Sequence, residues 1–193
     1  MSVAFLSTAA DLLRASVVQI IEGGRGSGGA GFAWGRPDLF VTSAHVVSRK
    51  RVTVVTPDRR TVSGAVIRRD TDRDLAIVHA AGAGDELPVA RPGDPNTMRP
   101  GSLVVAVGHP FGMVDAVSAG VFQAVGPLPR GLGLNGKGSL PWVQADVRLA
   151  PGNSGGPLAD AEGRVIGVAA MVVSGLALAV PVEDVELLFS GLV

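Results

Sequence analysis

One serine stands where a hydroxyl could become a nucleophile: Ser154, within Pro151-Gly152-Asn153-Ser154-Gly155-Gly156-Pro157-Leu158. A hydroxyl attacks a carbonyl only when a base takes its proton and donors stabilise the oxyanion that forms. Glycines on both sides allow a turn that residues with a Cβ resist, so the N–H groups of Gly152 and Ser154 can converge on one point. A Gly/Ser/Asn/Pro cluster is often a plain surface turn. Here apolar runs flank it, residues 140–147 before and 165–173 after, which predicts a strand-to-strand corner of a core.

The base must be one of three histidines, His45, His79 and His109, and all precede Ser154. The octapeptide fits the G-x-S-x-G nucleophile elbow of α/β-hydrolases, but that fold orders its residues Ser, acid, His, and would have no base here. The order Asp, His, Ser of subtilisins needs an alternating α/β chain, and no repeated strand-helix units are visible. The order His, Asp, Ser on an all-β pattern remains. His45 lies in Thr42-Ser43-Ala44-His45-Val46-Val47, and a histidine among apolar residues is commonly a satisfied core residue. Asp74 opens the apolar stretch 75–78, which sets its carboxylate at the edge of a core where it needs a hydrogen-bond donor. An imidazole N–H would serve. Asp70 and Asp72 read as solvated turn residues. A calcium loop starting at Asp70 would carry Gly at its sixth position and Glu at its twelfth, where the chain has Leu75 and Ala81.

Strands are predicted over residues 16–22, 38–42, 51–56, 60–68, 75–78, 102–107, 116–125, 142–147, 165–173 and 176–180, with a short helix over 8–15. The glycine-dense stretch 23–31 contains G-x-G-x-x-G twice, but no helix follows, so it reads as a hairpin loop and not a dinucleotide site. A proline- and glycine-rich linker, about 84–100, separates lobe one, about 16–83, from lobe two, about 101–181, and a helix over 182–190 closes the chain. Residues 126–139 read as a mobile glycine-rich loop. Many short strands with so little helix indicate β-barrels or a sandwich.

The chain's 193 residues are enough for one or two small cores. Its 17 basic residues balance 17 acidic ones and no basic run stands out, which argues against nucleic acid or an anionic membrane as partner. Without cysteine there is no disulfide framework and no thiolate metal site, and the histidine spacing suits no zinc site. Residues 1–21 lack a basic start and Asp11 interrupts them, so no signal peptide is expected. That predicts a cytoplasmic protein if Met1 is the native start, and a periplasmic or secreted one otherwise. Residues 165–182 carry no charge and approach the length of a membrane span. They hold Gly167, Ser174, Gly175 and Pro181 and are rich in valine, which predicts a buried hairpin turning at Ser174-Gly175.

Four stretches in order resemble the protease domain of the Deg/HtrA serine proteases, a branch of the trypsin-like group. They are Thr42-Ser43-Ala44-His45-Val46-Val47, Asp74-Leu75-Ala76-Ile77-Val78, Val107-Gly108-His109-Pro110-Phe111-Gly112 and Gly152-Asn153-Ser154-Gly155-Gly156-Pro157-Leu158, and the resemblance runs from about residue 15 to about 185. It implies an all-β fold of two six-stranded antiparallel β-barrels, with the site in the cleft between them. His45 and Asp74 would come from the first barrel and Ser154 from the second. It further implies that Ser154 is the nucleophile, that His45 takes and returns its proton, and that Asp74 fixes the imidazole tautomer. Gly152 and Ser154, with Asn153, would form the oxyanion hole. No metal or organic cofactor is implied; the partners would be polypeptide substrates, unfolded or partly unfolded, and homo-oligomers are compatible with the family.

Two departures stand out. Family members usually carry PDZ domains after the protease, and these residues stop at Val193, so the resemblance covers a protease domain without PDZ. Before the serine the family commonly has Asp-Ala-Ala-Ile-Asn, and here the run is Asp146-Val147-Arg148-Leu149-Ala150. Leu149, with Val172, Leu176 and Leu178, is expected to line the primary specificity pocket and to favour small or medium aliphatic residues before the scissile bond. Arg148 is expected to face solvent, because a buried unpaired guanidinium is costly. A resting, partner-activated client-binding or regulatory module, and a serine esterase on the same scaffold, stay open at this point.

Overall fold

The computed structural model describes residues 4–23, 28–84, 86–128 and 140–190; of the loop expected over 126–139, residues 129–139 lie outside the described ones. Apolar residues fill β1 (Val17–Ile21) except at Gln19, β6 (Leu75–His79) up to Val78, and all of β8 (Leu103–Gly108) and β13 (Leu176–Pro181). Successive side chains of a strand point to opposite faces, so such runs need cover on both.

The architecture supplies it twice. β1, β2 (Gly28–Trp34), β3 (Arg36–Ser43), β4 (Arg51–Val55), β5 (Thr61–Asp70) and β6 close into a barrel in the order β1-β2-β3-β6-β5-β4. β7 (Arg91–Pro92) is a two-residue strand that pairs in parallel with β12 (Arg164–Val173). β8, β9 (Ala116–Gly126), β10 (Trp142–Asp146), β11 (Pro157–Asp160), β12 and β13 then close in the same relative order, because β11 pairs with both β8 and β12. The two six-stranded antiparallel barrels expected from the resemblance are therefore present, with one connection scheme used twice.

Val18, Ile20, Phe40, Ala76 and Val78 cluster within the first barrel, and Val104, Ala106, Phe122, Ala177 and Ala179 within the second. Their chain neighbours Val17, Val41, Leu75, Val105, Leu178 and Val180 point the other way and meet in a third cluster shared by both. Helix α1 (Ala4–Arg14) adds Ala9, Ala10 and Leu13 to it, and helix α2 (Val182–Phe189) adds Val182 and Val185. Burying one large apolar side chain stabilises by about 1.5–3 kcal/mol, so this shared core sets how the barrels sit against each other.

Three features differ from the sequence reading. α1 begins at residue 4, four positions before the helix expected there. β11 was not expected: four residues that start with proline and end with aspartate carry little strand signal alone, and pairing on both sides makes them one. Gly28–Gly31 belongs to β2 and not to a loop, because a Cβ at Gly29 would lie 2.5 Å from the Ser154 carbonyl oxygen. Glycine there allows close backbone approach. The uncharged stretch 165–182 is the expected hairpin, with Ser174 at φ 50° and Gly175 at φ 87°. No helix among the described residues is long and apolar enough to cross a membrane.

Candidate active site

His45 and Ser154 occupy corresponding places, each in the connection from the third to the fourth strand of its barrel. His45 sits in a single 3-10 turn, Ala44–Val46, directly after β3. Asp74 precedes β6 and has φ 57°, in the left-handed region that a non-glycine residue seldom adopts. Three contacts hold it there. The Ala44 N–H donates to its backbone carbonyl at 3.0 Å, the His45 N–H donates to Oδ1 at 3.0 Å, and Oδ2 lies 2.7 Å from His45 Nδ1. A carboxylate only accepts, so the proton of the neutral ring sits on Nδ1 and Nε2 keeps its lone pair. Asp74 is buried and the His45 side chain is 48 % exposed, so the carboxylate is sheltered and the ring is reachable.

The Ser154 turn is built from tied-back carbonyls. Pro151 O accepts from Phe111 N–H at 3.0 Å, Gly152 O from His109 N–H at 3.1 Å, and Asn153 O from Gly156 N–H at 3.0 Å. Across a trans peptide the C=O and the next N–H point oppositely, so each of these bonds turns the following N–H, of Gly152, Asn153 and Ser154 in that order, away from the group that holds the carbonyl. The Asn153 N–H is not free for the oxyanion role expected of it. It donates to Ala150 O at 2.9 Å, and the Asn153 side chain is buried against Gly108 with Oδ1 unpaired.

The turn is anchored across the seam between the barrels. Ala30 N–H donates to Ser154 O at 2.8 Å, and Gly155 N–H donates to Ala169 O at 2.7 Å. That same carbonyl accepts from Ser43 Oγ at 3.2 Å, two residues before His45. The Ser154 hydroxyl donates to Ala170 O at 3.3 Å and not to the His45 ring. His45 and Asp74 are therefore joined, and Ser154 sits on the same seam with its hydroxyl turned to β12.

Beside Ser154 lies a cavity of about 370 Å³, lined by Leu149, Ala150, Met171 and Val172 among others. Leu149 and Val172, two of the four residues expected in a specificity pocket, line this cavity. Leu176 and Leu178, the other two, do not: Leu178 is buried in the shared core and Leu176 faces Val173 at the hairpin turn. β12 carries a register shift between Ala169 and Met171, and Met171 reaches the cavity. Arg148 is exposed, as expected.

His79 pairs with Asp38 at 3.1 Å, outside this site. His109 is buried below the turn, its Nδ1 accepting from Asp115 N–H at 3.2 Å. Burial pushes its pKa below the ordinary value of 6.5, with the Asp115 carboxylate opposing. The unfolded chain then binds this proton more readily than the folded one, so stability from this group is full above pH 6.5 and falls as pH drops below it. Unfolding midpoints should decline from pH 7.5 to 5.5, and His109→Asn should flatten the decline; an equal decline in the variant would contradict the assignment. Among the described residues no three His, Asp or Glu side chains converge as a metal site.

A profile of the trypsin-like peptidase domain matches residues 29–168. The chain is 34 % identical over 162 residues to the putative serine protease HhoA of Synechocystis sp., covering 82 % of this chain and 41 % of that protein. It is 37 % identical over 166 residues to the mitochondrial serine protease HTRA2 of Drosophila persimilis, covering 83 % and 38 %. Among solved structures it is similar to the HtrA-type protease AlgW with a tripeptide, with a TM-score of 0.85 at 25 % identity, covering 96 % of this chain and 62 % of that one. The chain thus spans about two fifths of the length of these curated relatives.

Proposed function

Because the chain belongs to the trypsin-like peptidase family, on its Deg/HtrA branch, we propose that it is a serine endopeptidase that works through Ser154, His45 and Asp74. The observation that carries the reading is the bond at 2.7 Å between Asp74 Oδ2 and His45 Nδ1, which leaves Nε2 as a free base at the seam where Ser154 stands. In the reaction the Ser154 hydroxyl leaves Ala170 O, turns to Nε2 and gives up its proton as Oγ attacks the scissile carbonyl carbon. The oxyanion falls to the N–H groups of Gly152 and Ser154; one such donor is typically worth about 3 kcal/mol of barrier. Collapse expels the amine, which takes the proton from His45, and leaves an ester on Ser154. Water, deprotonated by the same imidazole, then hydrolyses the ester.

The cavity beside Ser154 would take the side chain before the scissile bond, and its apolar lining suits small or medium aliphatic residues. Unfolded or partly unfolded polypeptides are the substrate class, since a segment must lie extended in the cleft and an unfolded one does so without first breaking its own structure. Fluorophosphonate labelling with mass-spectrometric site mapping tests the reading, alongside cleavage of casein. Modification confined to Ser154 with proteolysis supports it; no modification of Ser154 ends it. The pocket assignment makes a separate prediction. Leu149→Ala should raise kcat/KM for phenylalanine relative to valine before the scissile bond by about tenfold, the scale of a few methylenes in an apolar pocket. An unchanged ratio would place that side chain elsewhere.

A further inference from the structure

Helix α2 follows the last strand of the second barrel, yet two of its polar ties run to the first. Asp184, in its first turn, pairs with Arg73, and the carbonyl of Leu188, in its last, accepts from Arg68 Nη1 at 2.7 Å. Both suit the helix dipole, with an anion at the N-terminal end and a cation at the C-terminal end. Arg68 lies in β5, and Arg73 in the turn that delivers Asp74 to β6. The Arg73 and Asp184 side chains are only 15 % and 19 % exposed, so water and salt screen the pair little.

Asp74 is the residue that needs a brace. Its left-handed backbone is unfavourable by about 1–2 kcal/mol and persists only where the surroundings over-determine it. On its far side Leu75 is fixed in the shared core. On its near side Asp70 Oδ1 accepts from the N–H groups of Asp72 and Arg73, each at 2.9 Å, which shapes the turn against the end of β5 in the first barrel. The Arg73 side chain adds a tie to α2, across 111 positions of sequence.

We propose that the Arg73–Asp184 pair is a positioning device: α2 carries the placement of the second barrel to the residue before Asp74 and holds the carboxylate against His45. This rests on the role given above to Asp74. A purely structural tie would affect stability alone, whereas a positioning tie also moves the His45–Asp74 bond.

A double-mutant cycle separates the two. Arg73→Met keeps the apolar stem, Asp184→Asn keeps the outline, and Arg73→Lys keeps charge without the planar fork. Three quantities are measured in each: the rate of fluorophosphonate acylation of Ser154, the low-field proton resonance of His45 Nδ1–H, and the unfolding midpoint. Each of Arg73→Met and Asp184→Asn should label about tenfold more slowly, the scale of a sub-ångström misplacement, with the double variant no slower than the slower single. The resonance should weaken in both and recover partly in Arg73→Lys, which also serves should Arg73→Met fail to fold. Unchanged resonance with a lowered midpoint, unchanged labelling, or losses that multiply would overturn the proposal. If Ser154→Ala and the parent chain fail to label alike, it is the peptidase reading that falls, and the resonance still decides the brace.

Discussion

Asp74→Asn should lower kcat/KM about 10,000-fold while leaving the fold nearly as stable as before. The reason lies in which atoms can accept. Asp74 uses Oδ1 for the His45 N–H and Oδ2 for the ring. An amide of the same outline has one oxygen, and the backbone N–H, which can only donate, claims it. The NH2 group then faces Nδ1, which must turn acceptor, and the ring proton moves to Nε2. An imidazole with its proton on Nε2 cannot take one from Ser154, and the negative charge that would steady the imidazolium is gone as well. Both hydrogen bonds survive with altered polarity, so stability should change by only about 1 kcal/mol. Peptide turnover and denaturant unfolding measured on the same preparation decide it. A loss below tenfold would mean that Asp74 does not set the tautomer.

The parts of this arrangement legible in the sequence are those that local chemistry dictates. The runs at 17–21, apolar but for Gln19, and 103–108 are strands because their β-branched residues need two buried faces, and the molecule provides them as a barrel interior and a shared core. Ser174-Gly175 reads as a turn because two left-handed residues close a hairpin tightly. Asp74 stands out as a polar residue at the mouth of an apolar strand. What stayed hidden depends on distant partners. Pro157–Asp160 is a strand only because β8 and β12 flank it. Gly28–Gly31 looks like a loop until Ser154 is seen lying against it. Leu178 belongs to the core shared by the two barrels, a placement that depends on how they pack and not on its own residue type. The roles of His109 and Phe111 were missed for a related reason: they hold the Ser154 turn through backbone N–H groups, which leave no trace in residue type.

Gly155→Ala should destabilise the protein by about 4 kcal/mol and abolish labelling of Ser154, although a single methyl is all it adds. Two effects combine. Gly155 has φ 83°, where an L side chain is unfavourable by about 1–2 kcal/mol. The methyl would also lie 2.2 Å from Thr42 Oγ1, 2.3 Å from Ala30 O and 2.9 Å from Ser43 N. These atoms cannot easily give way: Thr42 Oγ1 donates to Ala30 O at 2.7 Å, and both belong to paired strands of the first barrel. Overpacking of this kind typically adds about 1–3 kcal/mol, and the total is a large share of the 5–15 kcal/mol by which domains are usually stable. Gly175→Ala is the control. Its φ is 87° with no atom within 4 Å of the added carbon, so it should show the backbone effect alone, about 1–2 kcal/mol, with labelling intact. If the two variants were equally destabilised, backbone conformation would account for both, and the contact between the Ser154 turn and the His45 strand would be looser than these distances require. A larger loss at Gly155 that also silences Ser154 would mean that the two barrels are registered through this contact, with room for a hydrogen and for nothing larger.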